Sequence, residues 1–262
     1  LSLLVQLYGL QPLKGFDSKS FKCLEYVVCY MSNTCPNCGK TYQRIGQHWS
    51  LSSCHSPELS DEQHEVLVGL LMGDGTVGVS SKGTCRLEAN MTTPEYLKYV
   101  DSKFPVYGKG VRLVNSAEEN ARRDRESGFN PSASGDNYSD TYRWSTMMSD
   151  VFNEFGEWYA SGEKVWPSDI SLTPTILKHL YCCDGYYRND DRHENISIAM
   201  NNEREYTNKV SEMFERAGLP LPEWQNVSGD RSDCSARFTK DESVKLWNYM
   251  GEPLPGFEYK WP

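Results

Sequence analysis

No stretch of this 262-residue chain is long and apolar enough to cross a membrane as a helix, which takes about 20 consecutive apolar residues. The apolar segment at residues 1–13 lacks the basic residues that lead a secretory signal, so we do not expect it to direct export. The sequence also lacks an initiating Met, which leaves the natural start open. These absences lead us to expect an intracellular protein.

The cysteines do not suit a disulfide framework. Nine is an odd number, and Cys35 and Cys38 form a Cys-x2-Cys pair of the kind that binds metal. Disulfides are rare in the reducing cytoplasm, where such cysteines persist as thiols or metal ligands. We therefore expect a cytoplasmic protein that uses this cysteine pair to hold a metal.

The chain also lacks net positive charge, since its formal charge is −9 at pH 7. A polyanion such as nucleic acid responds to the field of the face that it meets, so the sum alone does not exclude it as a partner. The basic side chains would then line a groove while acidic ones cover the outer surface. An acidic surface is also expected of a protein from a salt-adapted host.

Two short stretches of the chain echo each other. Residues 67–75 and 177–185 are apolar runs with helical spacing, and each ends in Asp-Gly. Asp74 and Asp184 should therefore lie at the C-terminal ends of two helices, where the helix dipole is already negative. Two carboxylates held in this way need a cation, which makes them candidate metal ligands.

The residues around both runs agree with two helices. Ser60 with Gln63 has the pattern of a capping box, and Thr173 before a proline is typical of a helix start. Gly75 and Gly185 stand where helices often end in a left-handed residue. In the first run, small residues four positions apart would let the second helix pack closely and bring the two aspartates together.

The segments after the two runs follow the same order. After the first run we predict strands at 76–80 and 86–91, a helix at 93–104, a strand within 106–115, a polar loop at 116–140, a strand at 142–145 and a helix at 147–158. After the second we predict a polar turn at 188–194, a strand at 195–200, a helix at 203–217, a strand at 237–239 and a helix at 241–250. Such a duplication indicates two repeats of one unit.

A compact group of cysteine and histidine residues precedes the first repeat. Cys35 and Cys38, followed by His48 and then Cys54 or His55, have the spacing of a structural zinc site. Cys54 is preferred as the fourth ligand because it gives the shorter loop. A closed site of four ligands would stabilise a small module and would leave no position open for catalysis.

The two runs, with residues 172–174 before the second and Tyr186-Tyr187 after it, resemble the signature of the LAGLIDADG homing endonucleases in their two-repeat, single-chain form. The resemblance implies an α+β fold, in which two pseudo-twofold-related αββαββα-type repeats form a DNA-binding saddle. We divide the chain accordingly into an N-terminal zinc-knuckle extension (1–59), a first repeat (60–170) and a second repeat (171–262).

The resemblance also implies an activity, namely metal-dependent cleavage of both strands of double-stranded DNA at a long recognition site, by a monomer encoded within an intron or another mobile element. Asp74 and Asp184 would be the ligands of two or more Mg²⁺ ions, with the backbone oxygens of Gly73 and Cys183 beside them. Phosphodiester hydrolysis needs a positioned water and a metal, and Mg²⁺ keeps most of its waters, so one or two carboxylates suffice.

Members of this family place polar side chains and a lysine near the phosphates that are cut. The positions that match here are Thr92, Thr93, Asn201, Asn202 and Lys240, and Lys240 is the candidate catalytic lysine. Each of these residues also fits ordinary helix capping.

Alternate strand residues would read the DNA bases, because they share one face of the sheet. Arg86, Glu88 and Asn90 share a face of their strand, and Arg143 and Arg237 occupy matching places in the two repeats. Arg and Asn side chains distinguish bases in the major groove. The alternative is a sheet face that is simply solvated.

Other functions fit parts of the same pattern. A non-cleaving nucleic-acid binder on this fold, such as an intron maturase or a regulator, would keep the saddle but need not keep both aspartates. An intein nuclease would carry a splicing segment, which we do not find. His179 near Cys182 has the composition of a Cys–His nucleophile, although one-turn spacing on an apolar face favours packing.

Overall fold

The computed structural model describes residues 34–190, 193–227 and 234–262. Within these ranges the chain has a mixed helix-and-sheet fold with two four-stranded antiparallel sheets, which confirms the predicted α+β class with two repeats. The first 33 residues of the N-terminal extension lie outside the described part. None of the helices in the described ranges is long and apolar enough to span a membrane.

After a short helix α1 (Ile45–Leu51), the two repeats share one order of elements, apart from one helix between the last two strands of the first repeat, which the described part of the second repeat lacks. The first repeat contains α2 (Asp61–Met72), β1 (Gly75–Val79), β2 (Cys85–Met91), α3 (Pro94–Lys103), β3 (Gly108–Asn115), α4 (Ala117–Ser127), β4 (Thr141–Thr146) and α5 (Asn153–Gly156). The second contains α6 (Pro174–Asp184), β5 (Gly185–Asp190), β6 (His193–Ala199), α7 (Thr207–Arg216), β7 (Glu223–Gln225), β8 (Ser235–Arg237) and α8 (Lys240–Met250). The strand orders are β1-β2-β4-β3 and β5-β6-β8-β7.

The predicted starts of the two long apolar helices are confirmed. Ser60 and Gln63 form a reciprocal capping box at the start of α2, and the Thr173 hydroxyl accepts the N–H of Ile176 at the start of α6. The cap predicted at Thr93 is wrong, because its side chain makes no capping hydrogen bond although α3 begins directly after it.

Three segments differ from the sequence prediction. The polar composition of residues 116–140 predicts a loop, whereas 117–127 form α4, whose Arg122 pairs with Glu119 and Glu126 one turn away on either side. The helix predicted over 147–158 is broken into 3₁₀ turns on both sides of α5. The turn predicted at 188–194 is mostly strand, because β5 and β6 pair as far as Asp190 and His193.

Helices α2 and α6 pack with their backbones in contact. A Cβ atom on Gly69 would lie 2.6 Å from the carbonyl oxygen of Ile176, and one on Gly73 would lie 2.3 Å from the Cβ of Cys183. No real side chain fits at such distances, so glycine is what lets the two helices approach along this line. The side-by-side packing expected from the sequence is therefore present.

Gly75 and Gly185 do not have the left-handed conformation that the sequence predicts. Gly185 is extended, with φ −76° and ψ 148°, and Gly75 is absent from the residues with positive φ. The reason for glycine here is space, because each residue turns back against the helix that it follows. A Cβ would lie 2.7 Å from the Leu70 oxygen at Gly75 and 2.2 Å from the Tyr181 oxygen at Gly185.

His179 is fully buried where α6 meets α3. Its Nδ1 lies 2.6 Å from the hydroxyl oxygen of Tyr96, and its ring stacks on Tyr99. Burial lowers the pKa of His179 to about 3, and the charges of Lys178 and Lys103 act in the same direction. The imidazole is therefore neutral at physiological pH and serves packing.

We predict that Gly69→Ala lowers the free energy of unfolding by about 1–3 kcal/mol, the usual cost of overpacking a well-packed core. Chemical denaturation of both proteins measures this difference. Gly46→Ala in α1 is the matched control, because its Cβ would meet Met147 Sδ at 3.6 Å and the Met148 carbonyl oxygen at 4.0 Å, both ordinary contacts, and alanine favours a helix by about 0.5–1 kcal/mol. Equal destabilisation by both changes would contradict the packing described here.

We predict that His179 makes the protein less stable in acid. The unfolded chain takes up a proton near the ordinary histidine pKa of about 6.5, whereas the folded chain does not until about pH 3. Stability should fall as the pH is lowered through this window, and His179→Gln should reduce that slope. Unfolding free energies of both proteins at several pH values measure the difference, and parallel curves would show that the buried imidazole does not matter.

Candidate functional site

The two signature aspartates lie side by side at the same end of the α2–α6 pair. Asp74 follows the last turn of α2 and is exposed, while Asp184 is the last residue of α6 and is half-buried. The position that a Cβ of Gly73 would occupy is 3.1 Å from Asp184 Oδ2. The glycine that permits the helix contact therefore also lets the Asp184 carboxylate approach the end of α2.

The surroundings of the two carboxylates favour a bound cation. Desolvation, together with the like charge of Asp74, raises the pKa of Asp184 to about 7. Desolvation also raises the pKa of Asp74, against the opposing charges of Lys164 and Lys260. A divalent ion shared by both carboxylates would relieve this repulsion, and a set of hard oxygen donors suits Mg²⁺.

Two lysines cap the ends of the same helices. Lys164 Nζ donates to the carbonyl oxygen of Gly73 at 2.6 Å, and Lys260 Nζ donates to that of Cys182 at 2.6 Å. Each ammonium thus offsets the negative end of one helix dipole and lies near an aspartate. The two lysines occupy equivalent places, which strengthens the twofold relation between the repeats.

Neither lysine was predicted from the sequence to have a role. Their signal is the repeated Lys-Val-Trp-Pro at residue 164 and Lys-Trp-Pro at residue 260. Lys240, the lysine chosen from the sequence, lies at the start of α8 and pairs with Glu194. It lines a cleft of about 280 Å³ with Arg237 and Glu223. The charges that act on the two aspartates are those of Lys164 and Lys260, so a catalytic role for Lys240 stays a prediction.

The structure does not favour a Cys–His nucleophile. Cys182 is buried, and loss of hydration raises its thiol pKa to about 12, whereas a nucleophilic cysteine needs a lowered pKa. His179 is kept neutral by its burial, and its Nδ1 is in hydrogen-bond contact with the Tyr96 hydroxyl. The packing interpretation of these two residues is therefore the better one.

The first sheet turns one face to the core and the other outward. Along β2, buried residues alternate with Arg86, Glu88 and Asn90, which share the outer face as predicted. Arg143 lies opposite Asn90 on β4 and donates to its side-chain oxygen at 2.8 Å, and Arg86 pairs with Glu88. The base-reading candidates of this repeat thus form one connected polar surface.

The outer face of the second sheet carries fewer of the predicted residues. Arg237 lies opposite Ser197 and Glu223 in the two neighbouring strand pairs. Tyr186, directly after the second Asp-Gly, is 61 % exposed and was not among the DNA-contacting residues predicted from the sequence. The polar candidates at the strand ends are Thr92, Asn201 and Asn202, which are exposed, and Thr93, which is half-buried.

The four predicted zinc ligands come together. The ligand atoms of Cys35, Cys38, His48 and Cys54 all lie within 4.8 Å of one another. His55 does not belong to this group, and its carbonyl oxygen accepts a hydrogen bond from Asn37 at 2.8 Å. All seven cysteines in the described ranges are free thiols, which leaves these three available as ligands.

The groups around the cluster suit thiolate and imidazole ligands. Trp49 Nε1 donates to Cys35 Sγ at 3.4 Å, and Ser52 Oγ lies 3.2 Å from His48 Nδ1, which directs Nε2 towards Cys38. Burial alone would raise the pKa of Cys35, but the N–H groups of Trp49 and the knuckle backbone lower it to about 6. Such outer contacts orient the ligands of metal sites.

The cluster is attached to the first repeat. Trp49 packs on Tyr107 with ring centroids 5.7 Å apart, and the Tyr107 hydroxyl donates to the carbonyl of Pro57. Ser56 Oγ donates to Asp150 at 2.8 Å. The module is therefore packed against the core of the first repeat.

Comparisons with solved structures give matches over most of the chain. The homing endonuclease I-WcaI, bound to its DNA recognition sequence, has a TM-score of 0.63 at 14% identity, over 87% of this chain and 97% of that chain. I-SmaMI, bound to an uncleaved DNA target with calcium ions, has a TM-score of 0.43 at 8% identity, over 74% and 86%. Because the sequence identities are low, the match to I-WcaI shows that the fold is shared and nothing further. The TM-score of I-SmaMI is too low to support a conclusion.

A comparison with curated proteins gives no match. The sequence does match the model of the LAGLIDADG DNA endonuclease family over residues 64–219, which is more than half of its length and includes both signature aspartates. Together with the paired helices and the doubled sheet, this match shows that the chain belongs to the LAGLIDADG DNA endonuclease family.

Proposed function

We propose that the protein is a sequence-specific homing endonuclease, which makes metal-dependent double-strand breaks in DNA at a long recognition site. The observation that carries the proposal is the pair of carboxylates, Asp74 and Asp184, held together at the ends of two helices that each lead into a sheet. Two equivalent centres can act on two antiparallel strands, so one chain suffices for a double-strand cut as a monomer.

The residues of the centre divide the work of hydrolysis. Asp74 and Asp184 hold divalent ions, with the carbonyl groups of Gly73 and Cys183 next to them. When bound, Mg²⁺ activates a water and stabilises the charge that develops on the leaving oxygen. The charges of Lys164 and Lys260 oppose the rise in the pKa of both carboxylates and add positive charge to the centre.

The outer faces of the two sheets form the proposed DNA surface. Arg86, Glu88, Asn90 and Arg143 in the first repeat and Arg237 in the second read base edges in the major groove. The residues at the strand ends, Thr92, Thr93, Asn201 and Asn202, lie nearer the phosphates. I-WcaI was solved bound to its DNA recognition sequence, which supports this use of the fold.

The four-ligand cluster holds a structural Zn²⁺ in this proposal. Three thiols and one imidazole close a tetrahedral site and leave no position for a substrate, so the ion stabilises the module and takes no part in cleavage. Its anchoring through Trp49 and Ser56 transmits that stability to the first repeat.

We predict that Asp74→Asn and Asp184→Asn each lower the rate of double-strand cleavage at least roughly 100-fold, because even outer-shell changes at metal sites cost about 10–100-fold. The substrate is the insertion-site duplex, or one selected from a random library, incubated with Mg²⁺. Duplex binding in Ca²⁺ should change little. Asp136→Asn, in the insertion between β3 and β4, is the matched control and should cut normally.

Two results would contradict this function. Full cleavage by the double Asp74→Asn, Asp184→Asn variant would show that the two carboxylates are not the catalytic centre. Binding of the selected nucleic acid without cleavage by the unaltered chain, with a preference for RNA, would instead favour a maturase or a regulator.

We predict one Zn²⁺ per chain, bound by the four-ligand cluster. Cys38→Ser and Cys54→Ser should lose the ion and lower the melting temperature by several degrees, whereas His55→Asn should keep both. Elemental analysis and thermal melting measure this. A chelator that removes zinc without changing the melting temperature would show that the ion does not stabilise the fold.

A further inference from the structure

The two repeats differ at the junction that follows the second strand of each sheet. In the first repeat the chain runs from buried Met91 to Pro94, where α3 begins. In the second it runs from buried Met200 to Glu203, just before the turn that leads into α7. Matching the two methionines places Glu203 where the first repeat has Pro94, so only the second junction contributes a buried carboxylate.

Glu203 is a buried carboxylate without a paired cation. It is only 8% exposed, and the one hydrogen bond to its carboxylate in the described ranges comes from its own backbone N–H. Burying a carboxylate in this way is costly unless a charge compensates it. A cation bound near Glu203 would therefore stabilise its carboxylate.

Glu203 lies next to the aspartate pair. It lines a small cleft together with Lys164 and Asn202. Lys164 in turn donates to the Gly73 carbonyl at 2.6 Å, and Gly73 is the residue against which Asp184 Oδ2 packs. The charge of Glu203 acts on Asp184, and the charge of Lys164 acts on Glu203.

The charges of the centre do not balance without a further cation. When ionised, Asp74, Asp184 and Glu203 bring three negative charges, against the two ammonium groups of Lys164 and Lys260. On the other side of the pseudo-twofold axis, Gly256, ahead of Lys260, lies against Thr93 and Glu95, and the carboxylate of Glu95 is exposed to solvent. The excess of buried negative charge is therefore on the Lys164 side.

We propose that Glu203 is a third carboxylate of the catalytic centre, which holds the divalent cation on the Lys164 side through its hydration shell. Mg²⁺ keeps several of its waters, so an acid just outside its ligands can still bind it through them. The two halves of the centre then bind their cations with unequal strength. This inference rests on the proposed nuclease function and specifies how its two sites differ.

The test is a Mn²⁺ titration of the zinc-loaded full chain, in which electron paramagnetic resonance measures the free ion. The unaltered protein should show two classes of site, and Glu203→Gln should weaken the tighter one roughly ten-fold, in the range found when an outer-shell partner is removed. Glu203→Asp should lie between the two. Glu95→Gln, which removes an exposed acid from the first-repeat junction, should leave both classes unchanged.

Lys164→Met separates this role from a purely structural one. If Glu203 holds the cation, removing the nearby ammonium strengthens Mn²⁺ binding while Glu203→Gln weakens it. If Glu203 only positions Lys164, both variants change Mn²⁺ binding in the same direction and by the same amount, and the inference is overturned. A protein whose Mn²⁺ binding is the same with and without the Glu203 carboxylate overturns it as well, provided thermal melting shows that both are folded.

The proposed function fails in a different way. Loss of Mn²⁺ binding in the double Asp74→Asn, Asp184→Asn variant, with no effect of Glu203→Gln, would refute only the third carboxylate. Retention of both Mn²⁺ classes in the double variant would refute the centre itself. On a target labelled at both 5′ ends, Glu203→Gln should slow the cutting of one strand more than that of the other, and equal slowing would contradict an unequal pair.

Discussion

The contact between the backbones of α2 and α6 is the constraint on which the rest of this structure depends. Gly69 and Gly73 allow a separation at which no other side chain fits. Helix α6 passes directly into β5, and α2 reaches β1 after two residues, so the helix contact fixes how the two sheets face each other. It also determines where two carboxylates meet, which gives a single packing interaction both structural and chemical consequences.

Such a centre concentrates negative charge at two helix ends that are already negative. The chain compensates with Lys164 and Lys260, which donate to the terminal carbonyls of the same helices. These lysines stabilise the helix ends and leave the aspartate pair with too little positive charge of its own. The folded centre therefore has an excess of negative charge that a divalent ion would neutralise.

Features set by neighbouring residues were predictable from the sequence. The capping box of Ser60 and Gln63, the alternation along β2 and the zinc-ligand spacing all depend on short separations. The role of Lys164 was not predictable, because its partner Gly73 is 91 positions away. The helix α4 was not predictable either, since its polar composition hides a set of ion pairs that form only once it is helical.

The glycines after the two aspartates show another limit. An Asp-Gly pair after a helix is typical of a left-handed end, but the tertiary packing of the turn against Leu70 and Tyr181 requires glycine for its size. Glycine is thus required at both positions, but for its small size and not for a left-handed conformation. Local statistics cannot separate these reasons, because both favour the same residue.

The segment that joins the two repeats also makes specific contacts with each of them. It carries Lys164 to the end of α2, and its backbone then accepts hydrogen bonds from Lys209 at Trp166 and from Arg216 at Ser168, both on α7. A hybrid protein made by exchanging whole repeats would therefore lose the contacts of this segment either with the end of α2 or with α7. To keep them, the segment has to be transferred together with the face of α7 that it contacts.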